Sequence, residues 1–424
     1  MAVAEADASA VRRAAEAVAR QSYGKLVAFL AARTRNLAGA EDALSEAFAV
    51  ALVDWPAHGV PDTPEAWLLT VARRKMIDAA RQQRISTGAA EHLQLLAELA
   101  DGPAELPLLP DVRLGLMFAC AHPAIDPAAR APLMLQTILG FDAASIASSF
   151  LVAPAAMGQR LVRAKAKIRN AGIALRVPER CELRERLDAV LAAIYAAFSE
   201  GWTDPAGTDA RRRNLTEEAI WLGRLVASLL PQEPEAMGLL ALMLYAHARR
   251  AARRGADGSY VPLAAQDVGL WDAELIDQAE ALLRSASSAG APGRYQLEAA
   301  VQSAHVVRRR TGVADWNAIE HLYSALHALT GSPVVALNRA SAMAETRGPA
   351  AALEALDALA PDSRMRDYQP YWAARAGLLA RCGATVAAAQ AYQCAIGLER
   401  DPAVREFLQG RLRALTADAP ARPD

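Results

Sequence analysis

Apolar positions along this chain recur at helical spacing. In Ala155–Asn170, Met157, Leu161, Ala164 and Ile168 fall at i, i+4, i+7 and i+11 and mark one face of a helix. In Trp67–Arg84, Trp67, Val71, Ile77 and Ala80 form a comparable stripe. Alanine and leucine fill long stretches and β-branched runs are scarce, so the predicted fold class is all-α.

Breakers divide the helical patterns into three regions. The first spans residues 10–84. Residues 85–111 hold Ser86, Gly88, Gly102, Pro103, Pro107 and Pro110 and read as a linker with one short helix, Ala89–Ala100. The second helical region spans 112–176, after which Pro178 punctuates. The third spans 183–416 and carries hints of repetition. Gly312, Gly348 and Gly383 lie 36 and 35 residues apart, and each separates two helical stretches. The expected pairs are Gln296–Arg310 with Asp315–Leu329, Pro333–Arg347 with Pro349–Leu359, and Tyr371–Cys382 with Val386–Glu399. Helix pairs repeating at about 34 residues suggest a TPR-like helical-repeat domain; an irregular α-bundle is the alternative. In the last pair, Ala373, Leu378, Gly383, Tyr392 and Ala395 sit where small and bulky residues interlock adjacent helices.

Composition changes this picture little. The 424 residues are 53% hydrophobic, enough for two or three cores. With 46 Lys and Arg against 47 Asp and Glu, net charge is -1, so any nucleic-acid contact must come from local basic faces. Cys120, Cys181, Cys382 and Cys394 show no CxxC spacing, so neither a disulfide framework nor a zinc knuckle is implied, which fits a reducing cytosol. Met1–Ala10 does not look like a signal peptide, and Met237–Tyr245 is too short to span a bilayer, so the expected location is cytoplasmic, with no membrane partner. His58, His92, His122, His247, His305, His321 and His327 form no HExxH pair, and no GxSxG or Walker loop occurs. No enzyme, metal or cofactor is therefore expected; Glu200 beside Gly201 is the one catalytic candidate kept in view.

Two segments carry the candidate chemistry. Trp67–Arg84 crowds Arg73, Arg74, Lys75, Arg81 and Arg84 around its apolar stripe, with Asp78 as its acid. Basic residues near a helix end also suit its dipole, so a solvated helix end is the bland reading. In the second segment Asp142 can cap a short helix, Ala143–Phe150. A turn at Leu151–Pro154 follows, then the basic helix Ala155–Asn170 with Pro154 at its start. Arg160, Arg163 and Lys167 lie opposite the apolar stripe, flanked by Lys165 and Arg169. A short helix, a tight turn and a basic amphipathic helix make a helix-turn-helix whose second helix enters the major groove. Gln159, Arg160 and Arg163 are the candidates for reaching base edges. The alternative is a helix packed within its own protein.

These residues also carry a resemblance. Tyr23–Ala32, Ala40-Glu-Asp-Ala-Leu-Ser-Glu-Ala-Phe48 and Trp67-Leu-Leu-Thr-Val-Ala-Arg-Arg74 with Ile77, Asp78 and Arg81 resemble region 2 of the extracytoplasmic-function (ECF) sigma factors. Pro127–Leu139, Ser145-Ile-Ala147 and Gln159-Arg-Leu-Val-Arg-Ala-Lys165 resemble their region 4. Further matches at Phe198-Ser-Glu-Gly-Trp202, Trp221–Leu225, Gly238–Met243, Gln266-Asp267, Leu270–Asp272 and Pro333–Arg339 resemble a subgroup with a long TPR-like extension. The resemblance implies two small helical sigma domains, at 10–84 and 112–176, and a C-terminal domain governing activity. It implies as partners core RNA polymerase, through its β′ clamp and β flap, and promoter DNA. It also implies a signal protein or an intramolecular contact for the extension. Glu41, Asp42 and Glu46 would dock the clamp. The loop Asp54–Pro64, with Trp55 and His58, would hold a flipped base of the −10 element. Trp67, Arg73, Arg74, Lys75, Arg81 and Arg84 would flank it. Gln159, Arg160, Arg163, Lys165, Lys167 and Arg169 would read the −35 element. The chain departs from the usual Val-Lys-Ser-Arg with Met157-Gly-Gln-Arg160, and from Asn-Glu-Gly-Tyr with Ser199-Glu-Gly-Trp202. A helical-repeat scaffold that never touches DNA is the competing function.

Overall fold

A computed structural model describes residues 22–31, 36–87, 111–150, 152–171, 179–202, 215–290 and 292–417, with isolated residues 18, 34 and 173. The predicted helix at 89–100 lies outside the described residues. Among the described residues the fold is all-α; the β feature present is one isolated antiparallel bridge between Arg254 and Tyr260. None of the helices described is long and apolar enough to cross a membrane. The chain divides into two compact units, Met1–Thr203 with Asp209–Leu222, and Asp204–Thr208 with Gly223–Asp424.

The first unit opens with helical residues 22–31, followed by Leu37–His58 and Pro64–Thr87. Asn36 caps the second of these, its side-chain oxygen accepting from Gly39 N at 3.0 Å. Leu37, Ala40, Leu44, Ala47, Ala51 and Trp55 are its buried face and recur every three or four residues. The helix runs through Pro56 to His58, so the loop expected at 54–64 contracts to residues 59–63. Trp55 accordingly belongs to the core, 1% exposed, and not to a loop.

Among the described residues, five more helices follow in this unit, Asp111–Cys120, Pro127–Leu139, Ala143–Ser149, Pro154–Asn170 and Arg180–Trp202, and the first part of Leu215–Leu229 belongs to it as well. Asp126 and Asp142 cap two of them. Asp142 accepts from the Ala144 and Ser145 backbone N–H groups, both at 2.9 Å. The predicted stripe of Pro154–Asn170 is buried, with Met157, Leu161, Ala164 and Ile168 at 0%, 2%, 5% and 4% exposure. Arg180–Trp202, which the sequence groups with the C-terminal region, packs instead on Pro127–Leu139 and Asp111–Cys120. Buried Arg186 on that helix donates from Nη1 to the Phe118 carbonyl at 3.2 Å.

In the second unit helices pack against their neighbours in sequence, from Pro234–Ala248 to Pro402–Ala417. Gly312, Gly348 and Gly383, at φ of 78°, 89° and 76°, sit between the paired helices where a side chain would strain the turn. The expected pairs appear as Trp316–Thr330, Pro333–Thr346 with Pro349–Asp357, and Gln369–Arg381 with Thr385–Leu398. The stretch predicted at 296–310 divides into Arg294–Val306 and the short Arg308–Thr311. Residues 249–272 interrupt the succession of α-helices with short 3-10 turns at Arg250–Arg253, Leu263–Ala265 and Val268–Leu270.

Candidate nucleic-acid interface

Burying one stripe of Pro154–Asn170 turns the rest of that helix outward. Gln159, Arg163 and Lys167 are exposed, Arg160 is half-buried, and Val162 stands 69% exposed among them. Arg163 Nε donates to the Gln159 carbonyl at 3.3 Å. A side chain at Gly158 would meet nothing within 4 Å, so the glycine leaves an open place on the same surface. The Arg169 side chain lies outside the described residues.

Lys165 is placed differently. Its Nζ contacts Glu41 Oε2 at 2.8 Å, and the two side chains are 25% and 13% exposed. Glu41 lies on Leu37–His58, so this pair joins the first three-helix group to the helix-turn-helix within one compact unit. Gly24 makes the approach possible: a Cβ there would overlap the Ile138 carbonyl oxygen. Tyr23 stacks tilted on Phe48, centroids 6.3 Å apart, and its hydroxyl is pushed up to about 12 by burial and then by Glu41. Cys120 is wholly buried beside the pair; burial, with Glu41 adding to it, pushes its thiol up to about 12. Such a thiol is unreactive. The sequence reading missed Tyr23, Gly24 and Cys120 as a group, because only the tertiary contact brings them together.

On the first group, Asp42 and Glu46 are exposed, and Glu46 pairs with Lys75 at 3.0 Å. Arg74 is exposed; Arg73 is half-buried with its guanidinium 5.3 Å from the Phe29 ring centroid. Trp67 is half-buried and meets Trp55 edge-on, centroids 5.6 Å apart. The Trp55 Nε1 is buried without a hydrogen-bond partner among the described residues. His58 is exposed and paired with Asp54 at 3.0 Å. The Arg81 and Arg84 side chains lie outside the described residues. Glu200 is buried near the tight approach of Gly201 to Thr216, among packed side chains. No group of three or more His, Cys, Asp or Glu able to hold a metal occurs among the described residues.

Residues 18–85 match the family model of Sigma-70 region 2, which covers the first three-helix group. Residues 186–287 match a family of unknown function, DUF6596. The chain therefore carries a sigma-70 region 2 near its N-terminus, followed by a helical region of the DUF6596 family. It is 38% identical over 404 residues to "Uncharacterized protein R00370" of Rhizobium meliloti (strain 1021), covering 94% of each chain, and belongs to the same family as that protein. No solved structure matches it.

Proposed function

We propose that this protein is an ECF-type sigma factor whose TPR-like C-terminal domain governs its activity. Asp42, Glu46 and Glu41 would dock the polymerase β′ clamp, and region 4 the β flap. Arg73, Arg74 and Lys75 would hold the −10 backbone, offsetting the few kcal/mol that extruding a base costs. Gln159, Arg163 and Lys167 would face the −35 element. The observation that carries this reading is a helix-turn-helix with an outward basic face in the same compact unit as the region-2 match.

The Lys165–Glu41 pair adds a mode of control. One partner belongs to the proposed DNA surface and the other to the proposed polymerase surface, so each occupies the other in the free chain. Promoter engagement would then require the two groups to part.

Run-off transcription with core polymerase tests the function. A promoter-specific transcript dependent on the protein is expected; its absence from every promoter upstream of transcripts induced by overexpression returns the scaffold reading. The C-terminal domain is tested by truncation after Trp202, since Arg180–Trp202 packs on Pro127–Leu139 and Asp111–Cys120. Equal promoter activity of truncated and intact chains in vivo would remove the regulatory role.

A further inference from the structure

The second unit holds a concentration of arginines that the transcription reading leaves unused. Arg249, at the end of Pro234–Ala248, is 9% exposed, and its Nη2 donates to the neutral Gln302 Oε1 at 2.6 Å. Its guanidinium and that of Arg308 both lie against the Trp271 ring, 5.9 and 5.1 Å from the centroid. Arg253 and Arg254 follow, both half-buried. Arg249 and Arg253 are each pulled down to about 10, chiefly by burial, with Arg253 and Arg308 repelling the first and Arg254 the second. A guanidinium does not shed its proton in a protein, so these are like charges held close together.

Acids of the chain lie close to them. Asp401 pairs with Arg254 through Nη2, and Glu399 lies near Tyr260 with its Oε1 accepting from the backbone N–H groups of Arg400 and Asp401. Arg308 is explained as a staple: it donates to the carbonyls of Leu263, Ala264 and Gln266 at 3.0, 3.2 and 3.1 Å. Arg254 is not explained. Its Nε and Nη1 are buried and have no hydrogen-bond partner among the described residues. An unsatisfied buried charged donor is costly, and oxyanions are the acceptors that match guanidinium best.

We propose that Arg254, with the positive charge of Arg253 and Arg249 beside it, is the anchor of a binding site for a small, multiply charged oxyanion. The shared chemistry is two or more anionic oxygens, from a phosphate ester or a polycarboxylate. Nothing in this inference depends on the chain being a sigma factor.

Isothermal titration of the full chain with pyrophosphate and with citrate, against chloride at matched ionic strength, is the test. Saturable heat is expected with at least one of them. Pyrophosphate alone assigns a phosphate ester, and citrate alone a polycarboxylate. Arg254→Met is expected to weaken binding by about tenfold or more, while Arg309→Ala, on an exposed cation of the neighbouring Arg308–Thr311 helix, leaves it intact. Circular dichroism checks the fold of Arg254→Met; if it fails to fold, Arg254→Lys, which keeps charge but loses Nε and Nη1, takes its place. No saturable heat beyond chloride, or unchanged affinity in the folded variant, overturns the site.

Discussion

Val162 and Arg163 are neighbours with different uses for the same outward face. Val162 exposes a branched apolar side chain where water gains nothing from it. In a major groove, thymine offers its methyl group to such a residue and guanine offers two acceptors to arginine. Arg163→Ala is expected to lose roughly 1–3 kcal/mol of promoter binding. Val162→Ala is expected to lose about 1 kcal/mol, the value of one or two buried methyl groups. Replacing −35 thymines by uracil should weaken the intact protein and leave Val162→Ala unchanged. Binding by fluorescence anisotropy reads both effects, and equal affinity of Arg163→Ala would remove this helix from the −35 assignment. Lys165 differs because its ammonium already has a partner in Glu41.

Packing between elements turns on Gly24. Alanine is the better helix former by about 1 kcal/mol, so Gly24→Ala should not harm its own helix. Its Cβ would nevertheless meet a backbone oxygen of Pro127–Leu139 that cannot step aside. Overpacking of this kind costs about 1–3 kcal/mol, a factor of roughly 5–150 between closed and open forms. The expected outcome is a larger radius of gyration by small-angle scattering and stronger promoter-specific transcription, at unchanged helical content. An unchanged radius and transcript yield would dismiss closure as a control. At this scale much was legible in the sequence. The stripe from Met157 to Ile168, the Asp142 cap and the glycine boundaries follow from local chemistry and stand as expected. Trp55 was legible too, since Leu44, Ala47, Ala51 and Trp55 continue one spacing; family resemblance drew it into a loop. The Lys165–Glu41 pair was not legible, because 124 residues separate its partners and nothing local encodes their meeting.

For the molecule as a whole, buried cations set limits on the conditions of folding. His305 lies edge-on to Trp316, and burial, with Arg249 and Arg308 adding repulsion, lowers it from 6.5 to about 4. The folded chain therefore holds this imidazole neutral, while the unfolded chain protonates it below about 6.5. The stability it permits is present above that pH and drains away as pH falls toward 4, by about 3 kcal/mol. Thermal unfolding followed from pH 7 to 4.5 should fall steeply, and His305→Phe should flatten the slope; parallel slopes would reject the assignment. The second unit also differs from an ordinary repeat array, in which each unit touches its neighbours alone and the end units melt first. Arg254 pairs with Asp401, 147 residues away, and Tyr260 meets Phe407 edge-on at 5.4 Å. Helix Pro402–Ala417 cannot fray without releasing the segment around Arg254, so the two share one cooperative transition, and hydrogen exchange should find amides of Pro402–Ala417 protected as long as those around Arg254.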